Sequence, residues 1–110
     1  MTPAEFRALA LSLPEAVEGA HMGHSDFRVG GKIFATLGYP DDAHAVVILP
    51  PAEQSDYVAA APSAFTAVKG AWGKGGATQA RLDVVTGTTM QAALVAAWRK
   101  RAPKRLAEDS

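Results

Sequence analysis

Apolar residues recur first at helical spacing and then in alternation, and the change of period marks the elements. Phe6, Leu9, Ala10 and Leu13 fall on one stripe of a helix. Thr2 is placed to cap it, Pro3 suits its first turn, and Glu5 can reach back to the cap amide. Pro14 ends the helix by disfavouring α geometry at Leu13. Residues 16–22 read as a short strand that Gly19 weakens. Residues 25–29 and 32–37 read as a hairpin, because Gly30-Gly31 accept the positive φ values of a tight two-residue turn. That turn predicts Val29 opposite Lys32 and Phe27 opposite Phe34. It puts Phe27, Val29 and Phe34 on one face, and Arg28, Ile33, Ala35 and Leu37 on the other. Both faces carry apolar groups, so one is expected to bury against helices and the second to be only partly wet.

Residues 38–42 form a turn by composition, and the β-branched run 44–49 reads as a central strand. Residues 51–61 read as a short helix with Tyr57, Val58 and Ala61 on a thin apolar side, closed by Pro62. A brief strand at 65–68, a glycine-rich turn and a last strand at 77–85 follow. Thr88-Thr89-Met90-Gln91 repeats the capping-box logic, and Met90, Leu94, Ala97, Trp98 and Arg101 line one side of the helix it opens. That helix ends by Ala102, ahead of Pro103, and residues 104–110 are expected to fray. Short consecutive strands with tight turns predict an α+β fold: a two-layer sandwich with an antiparallel sheet and helices packed on one face. The 110 residues suffice for one domain, 1–110, with a single modest core.

Composition narrows the chemistry. The chain has no cysteine, so disulfides and thiolate catalysis are excluded, and zinc would need His or carboxylate ligands. No apolar run approaches the roughly 20 residues of a bilayer span, and the start lacks a signal-peptide pattern, so a cytoplasmic location is expected. Net charge is zero but uneven. Residues 1–56 hold three cations and eight acids, a balance of −5, whereas residues 57–110 hold eight cations and three acids, a balance of +5. Such asymmetry can mark a polyanion-binding face, unless the halves interleave in space and cancel.

Several short motifs together resemble the MmcQ/YjbR family. They are Leu13-Pro14-Glu15, His21, Asp26-Phe27-Arg28-Val29, Gly31-Lys32-Ile33-Phe34-Ala35, Trp72-Gly73, Ala97-Trp98-Arg99 and Ala102-Pro103. The resemblance covers nearly the whole length and implies a frataxin-like (CyaY-like) two-layer sandwich. It also implies DNA binding, which members are described as performing with two hairpins held as wings against the duplex. The topology further resembles that of secretion chaperones, which bind polypeptide.

The candidate nucleic-acid contacts come from two stretches. Lys69, Trp72 and Lys74 share a turn containing Gly70, Gly73, Gly75 and Gly76, and Arg81 follows on the next strand. Cations on a flexible loop can reach phosphates, and an exposed Trp can stack on a base. The competing reading, favoured for Trp72, folds the indole back as a lid on the core. Arg99, Lys100, Arg101, Lys104 and Arg105 form the densest basic run, which also complements a helix C-terminus.

His21, His24 and Asp26 suggest a metal site only if the chain turns at Gly23, and His21 reads more simply as a hydrogen-bonded residue near the sheet. No serine sits in a nucleophile elbow, Asp41-Asp42 is a turn pair, and the first helix offers only Glu5 as an acid, against frataxin-like iron binding. The expectation is a non-enzymatic protein without cofactor that binds double-stranded DNA. The alternative is a protein-interaction or self-associating module using the sheet face, motivated by the doubly apolar hairpin of Phe27 and Phe34.

Overall fold

Thr2 Oγ1 accepts from the Glu5 amide at 3.1 Å, and Glu5 Oε1 accepts from the Thr2 amide at 2.8 Å, so the capping box opens the first helix as read. In the computed structural model, which describes residues 1–108, the chain runs α1 (Pro3–Leu11), β1 (Val17–His21), β2 (His24–Val29), β3 (Lys32–Leu37) and β4 (His44–Ile48). It continues through α2 (Pro51–Ala60), β5 (Phe65–Ala67), α3 (Ala71–Lys74), β6 (Ala77–Arg81), α4 (Gly87–Arg101) and α5 (Lys104–Glu108).

The strands form one antiparallel sheet in the order β1-β2-β3-β4-β6-β5, and the fold is α+β as expected. Helices α1 and α4 pack on one face. Phe6 of α1 meets Phe27 of β2 edge to face at 5.8 Å, and Met90, Leu94 and Trp98 of α4 are buried against the same core. Helix α2 adds Tyr57, whose ring meets Phe65 at 5.3 Å. Trp98 Nε1 donates to the Pro14 carbonyl at 2.9 Å, which ties the last long helix to the loop after the first.

The hairpin register departs from the sequence reading. Val29 pairs with Lys32 and Arg28 with Ile33, but Phe27 pairs with Ala35, leaving Phe34 as an extra residue in β3. This bulge switches the alternation. Ala35 and Leu37 join Phe34 in the core, and Ile33 stays with Arg28 on the opposite face. Phe27 and Phe34 are both fully buried beneath the chain's own helices, so neither is offered to a partner.

Three boundaries also differ. The cap of α4 is Thr86, whose Oγ1 accepts from the Thr89 amide at 3.1 Å, and not Thr88. The last strand stops at Arg81, because the Val84 and Val85 amides turn back to donate to the Arg81 carbonyl. Residues 104–108, expected to fray, form the short helix α5; residues 109–110 lie outside the described part. No helix among the described residues is long and apolar enough to cross a membrane.

Candidate functional site

One face of the sheet packs under α1 and α4; the other carries polar groups. On that open face β1 and β2 present His21, Asp26 and Arg28, β3 presents Ile33 and Thr36, and β4 presents Ile48.

Asp26 organises the near end. Its side chain is fully buried, and Arg28 Nε donates to Oδ1 at 2.8 Å while Arg28 Nη2 donates to Oδ2 at 3.0 Å. His21 Nδ1 donates to Oδ2 at 2.8 Å. The acceptor-only carboxylate assigns the proton to Nδ1, and His21 borders the groove described below. The Arg28 hydrogen bonds hold the Asp26 carboxyl below its usual range, against the opposing effect of burial, and His21 adds to them. Gly19 lies across the strand, where a Cβ would stand 2.9 Å from Asp26 Oδ1 and 3.2 Å from Arg28 Nε. The glycine that weakens β1 as a strand thus makes room for this ion pair.

The β1–β2 turn is made by Met22 and Gly23, both at positive φ, which sets His21 directly opposite His24. The convergence that a metal site would need therefore occurs. Yet Asp26 is engaged by Arg28, the His24 ring stands against Tyr39, and no group of three metal-ligating side chains exists among the described residues.

Trp72 closes the far side. It stands on α3, is 40% exposed, and meets the Tyr39 ring at 5.6 Å with the planes at 73°. It is a wall of the open face and not the core lid that the sequence favoured. The segment that carries it is no flexible loop. A Cβ at Gly73 would lie 1.5 Å from the Val68 carbonyl oxygen, and one at Gly76 would lie 1.7 Å from that of Leu49. These glycines serve close backbone approach. The buried Gln54 amide donates to the carbonyls of Gly73 and Ala77, both at 3.0 Å, and Lys100 Nζ donates to Leu49 O at 3.1 Å and Gly75 O at 2.7 Å.

Between Trp72 and the β2–β3 hairpin lies a groove of about 470 Å³, floored by Ile33, Thr36 and Ile48. Arg28, Lys32 and Arg101 are its charged lining, with Arg28 paired to the buried Asp26 carboxylate. Arg101 arrives because the α4–α5 junction presses on the hairpin tip, where a Cβ at Gly30 would stand 3.0 Å from the Pro103 ring. A second cavity of about 250 Å³, lined by His24 and Tyr39 among others, shares His21, Thr36 and Trp72 with the first. Two polar atoms here are buried without a hydrogen-bond partner among the described residues, Thr36 Oγ1 and Arg101 Nε.

The sequence-predicted contacts divide. Lys69 and Lys74 are exposed on either side of Trp72 in the chain. Arg99 borders a separate groove between α2 and α4, beside Glu53 and Tyr57. Lys100 is placed as a structural clamp, with two of its three donors engaged by carbonyls. Arg81 pairs with Asp83 at 3.1 Å, Lys104 with Glu108 at 3.8 Å, and Arg105 forks onto Glu15 at 3.2 Å. The basic C-terminal run is therefore not one patch. Arg28, Lys32 and Thr36 were missed as site residues. Arg28 and Lys32 lie in the motifs Asp26-Phe27-Arg28-Val29 and Gly31-Lys32-Ile33, and Thr36 carries no sequence signal of its own.

A family model, YjbR, matches residues 11–100. The chain belongs to the YjbR family. The matched span runs from the end of α1 to near the end of α4 and so takes in the whole sheet, the groove floor and Trp72. Among solved structures, this YjbR-family protein is similar to Deinococcus radiodurans protein DR2400, which carries a DUF419 domain. The two share 17% sequence identity and a TM-score of 0.78, over 98% of this chain and 86% of that one. At that identity the likeness speaks for the fold. No curated protein sequence matches.

Proposed function

We propose that this YjbR-family protein is a non-enzymatic nucleic-acid-binding protein that contacts DNA through the open face of its sheet. The observation that carries the reading is the half-exposed Trp72 beside a groove lined by Lys32 and Arg101, with Arg28 ion-paired to the buried Asp26 at its near end. Cations on a concave surface bind phosphate, and an aromatic wall stacks a base whatever its identity. Lys69 and Lys74 are exposed on either side of Trp72 in the chain and add cations near it in sequence. Lys32 follows the tip of the β2–β3 hairpin, which agrees with the wing-like role described for hairpins in the family.

Fluorescence anisotropy with labelled DNA across a salt series tests this. Binding should weaken linearly in log salt, and Lys32→Ala should reduce the slope by about one phosphate contact. No binding to any DNA at micromolar protein and low salt would remove the reading, because the electrostatic contribution is largest there.

A further inference from the structure

We propose that the groove seats a single unpaired nucleotide, with its base against Trp72 and its phosphate between Lys32 and Arg101. This rests on the nucleic-acid reading and deepens it by naming the unit recognised. The first observation is shape. The cation-lined groove and the smaller cavity beside it meet at His21, Thr36 and Trp72, forming a concavity of the size that takes small ligands. A paired base keeps its faces inside the stack, so the indole can be covered only by a base that has left it.

The second observation is unmet hydrogen bonding. Thr36 is 2% exposed, borders both cavities, and its Oγ1 has no partner among the described residues. Arg101 Nε is buried in the same condition. A hydroxyl can donate or accept, whereas a guanidinium nitrogen only donates. A nucleotide supplies what each lacks: a phosphate oxygen accepts from Arg101, and a base or sugar edge pairs with Thr36. Native structures rarely leave such atoms unpaired without a reason.

The third observation is rigidity. Gln54, Lys100 and the tight glycine contacts fix α3, and Tyr39 packs edge to face on the indole it carries, so binding does not have to order the helix that forms the wall. Trp98 is 1% exposed, which leaves Trp72 as the solvent-accessible fluorophore of the two tryptophans.

The test titrates the full chain while tryptophan emission is followed. The probes are an oligothymidylate of about eight nucleotides, a duplex of the same length, a 5′-mononucleotide and inorganic phosphate; this length lies within the site sizes of single-strand binders. The single strand should quench emission and bind at least about tenfold tighter than the duplex, and the mononucleotide should compete where inorganic phosphate does not. Arg101→Lys should lower single-strand affinity about tenfold with the salt slope kept, since the charge stays and the geometry goes. Equal binding of duplex and single strand without quenching overturns the subsite and leaves the nucleic-acid reading standing. A mononucleotide that competes no better than phosphate also overturns it, on the native chain and with no variant needed. Mononucleotide quenching without strand binding keeps the subsite, makes free nucleotide its ligand, and overturns the nucleic-acid reading. No response to any probe overturns both.

Discussion

Lys100 Nζ, near the end of α4, donates to the Gly75 carbonyl at 2.7 Å, and so a helix on the covered side of the sheet holds the turn that presents Trp72 on the open side. The same nitrogen reaches the Leu49 carbonyl just after β4. Replacing it tests whether this lysine holds the fold or touches a ligand. Lys100→Met should lower unfolding free energy by about 1–3 kcal/mol, read from the urea midpoint, because two carbonyls lose a charged donor. The salt slope of DNA binding should not change. A slope reduced by a full contact at unchanged stability would return Lys100 to the ligand surface.

Gly73 and Gly31 separate steric from conformational need. Gly73 has no positive φ but no room, whereas Gly31 has φ +78 and open space around it. Gly73→Ala should destabilise by about 3 kcal/mol or more, as overpacking against backbone does. Gly31→Ala should lose only about 1–2 kcal/mol, the left-handed penalty of a side chain. Comparable urea midpoints for the two variants would contradict the close approach of α3 to Val68.

Asp26 sets a pH dependence. Its carboxyl is held below the ordinary value of 3.8, so the unfolded chain binds that proton more readily than the fold does. Its contribution is therefore complete above that value and is lost as pH falls through the lower folded value. Glu5, Glu15 and Asp41 are lowered too and act in the same direction. Asp26→Asn should flatten, and not abolish, the fall in denaturant midpoint below about pH 4. An identical acid profile in the variant would mean that Arg28 and His21 do not stabilise the charged form.

Gly19→Ala should show a smaller version of the same effect. The added methyl meets the ends of two side chains and not backbone, so Arg28 can swing away. The expected loss is about 1 kcal/mol, from weakening one ion-paired hydrogen bond. Combining Gly19→Ala with Asp26→Asn should add less than the sum, and strict additivity in urea midpoints would show that the glycine serves something other than this pair.

Emission separates the two tryptophans. Trp98→Phe leaves half-exposed Trp72 and should shift emission to the red with easy acrylamide quenching, at a loss of about 1 kcal/mol for the Pro14 bond. Trp72→Phe leaves buried Trp98 and should shift it to the blue. The reverse pattern would restore Trp72 as a core lid.

Local rules carried much of the fold. The capping box at Thr2, the Gly30-Gly31 hairpin and the β-branched run of β4 depend on neighbours a few residues away, and each stands where periodicity put it. The pairing of Phe27 was misread because a bulge leaves no local mark: Phe34 has the same β preference in or out of register, and what placed it was space in the core beneath α4. Thr88, with Gln91 three residues on, is the better cap on paper, and the turn after β6 placed Thr86 there instead.

By itself, the order of residues determined the elements apart from the short helices α3 and α5, the antiparallel α+β class and the half of the chain in which most of the cations lie, because those follow from period and composition. Only the tertiary structure decided which cations stand free to meet a ligand. Lys100 was taken by carbonyls, Arg105 by Glu15 and Arg28 by Asp26, while Lys32 and Arg101 came together from β3 and α4. The physical reason is range. A hydrogen bond or ion pair forms within about 3 Å whatever the separation along the chain, so the partner of a charge is set by folding and not by its neighbours in sequence.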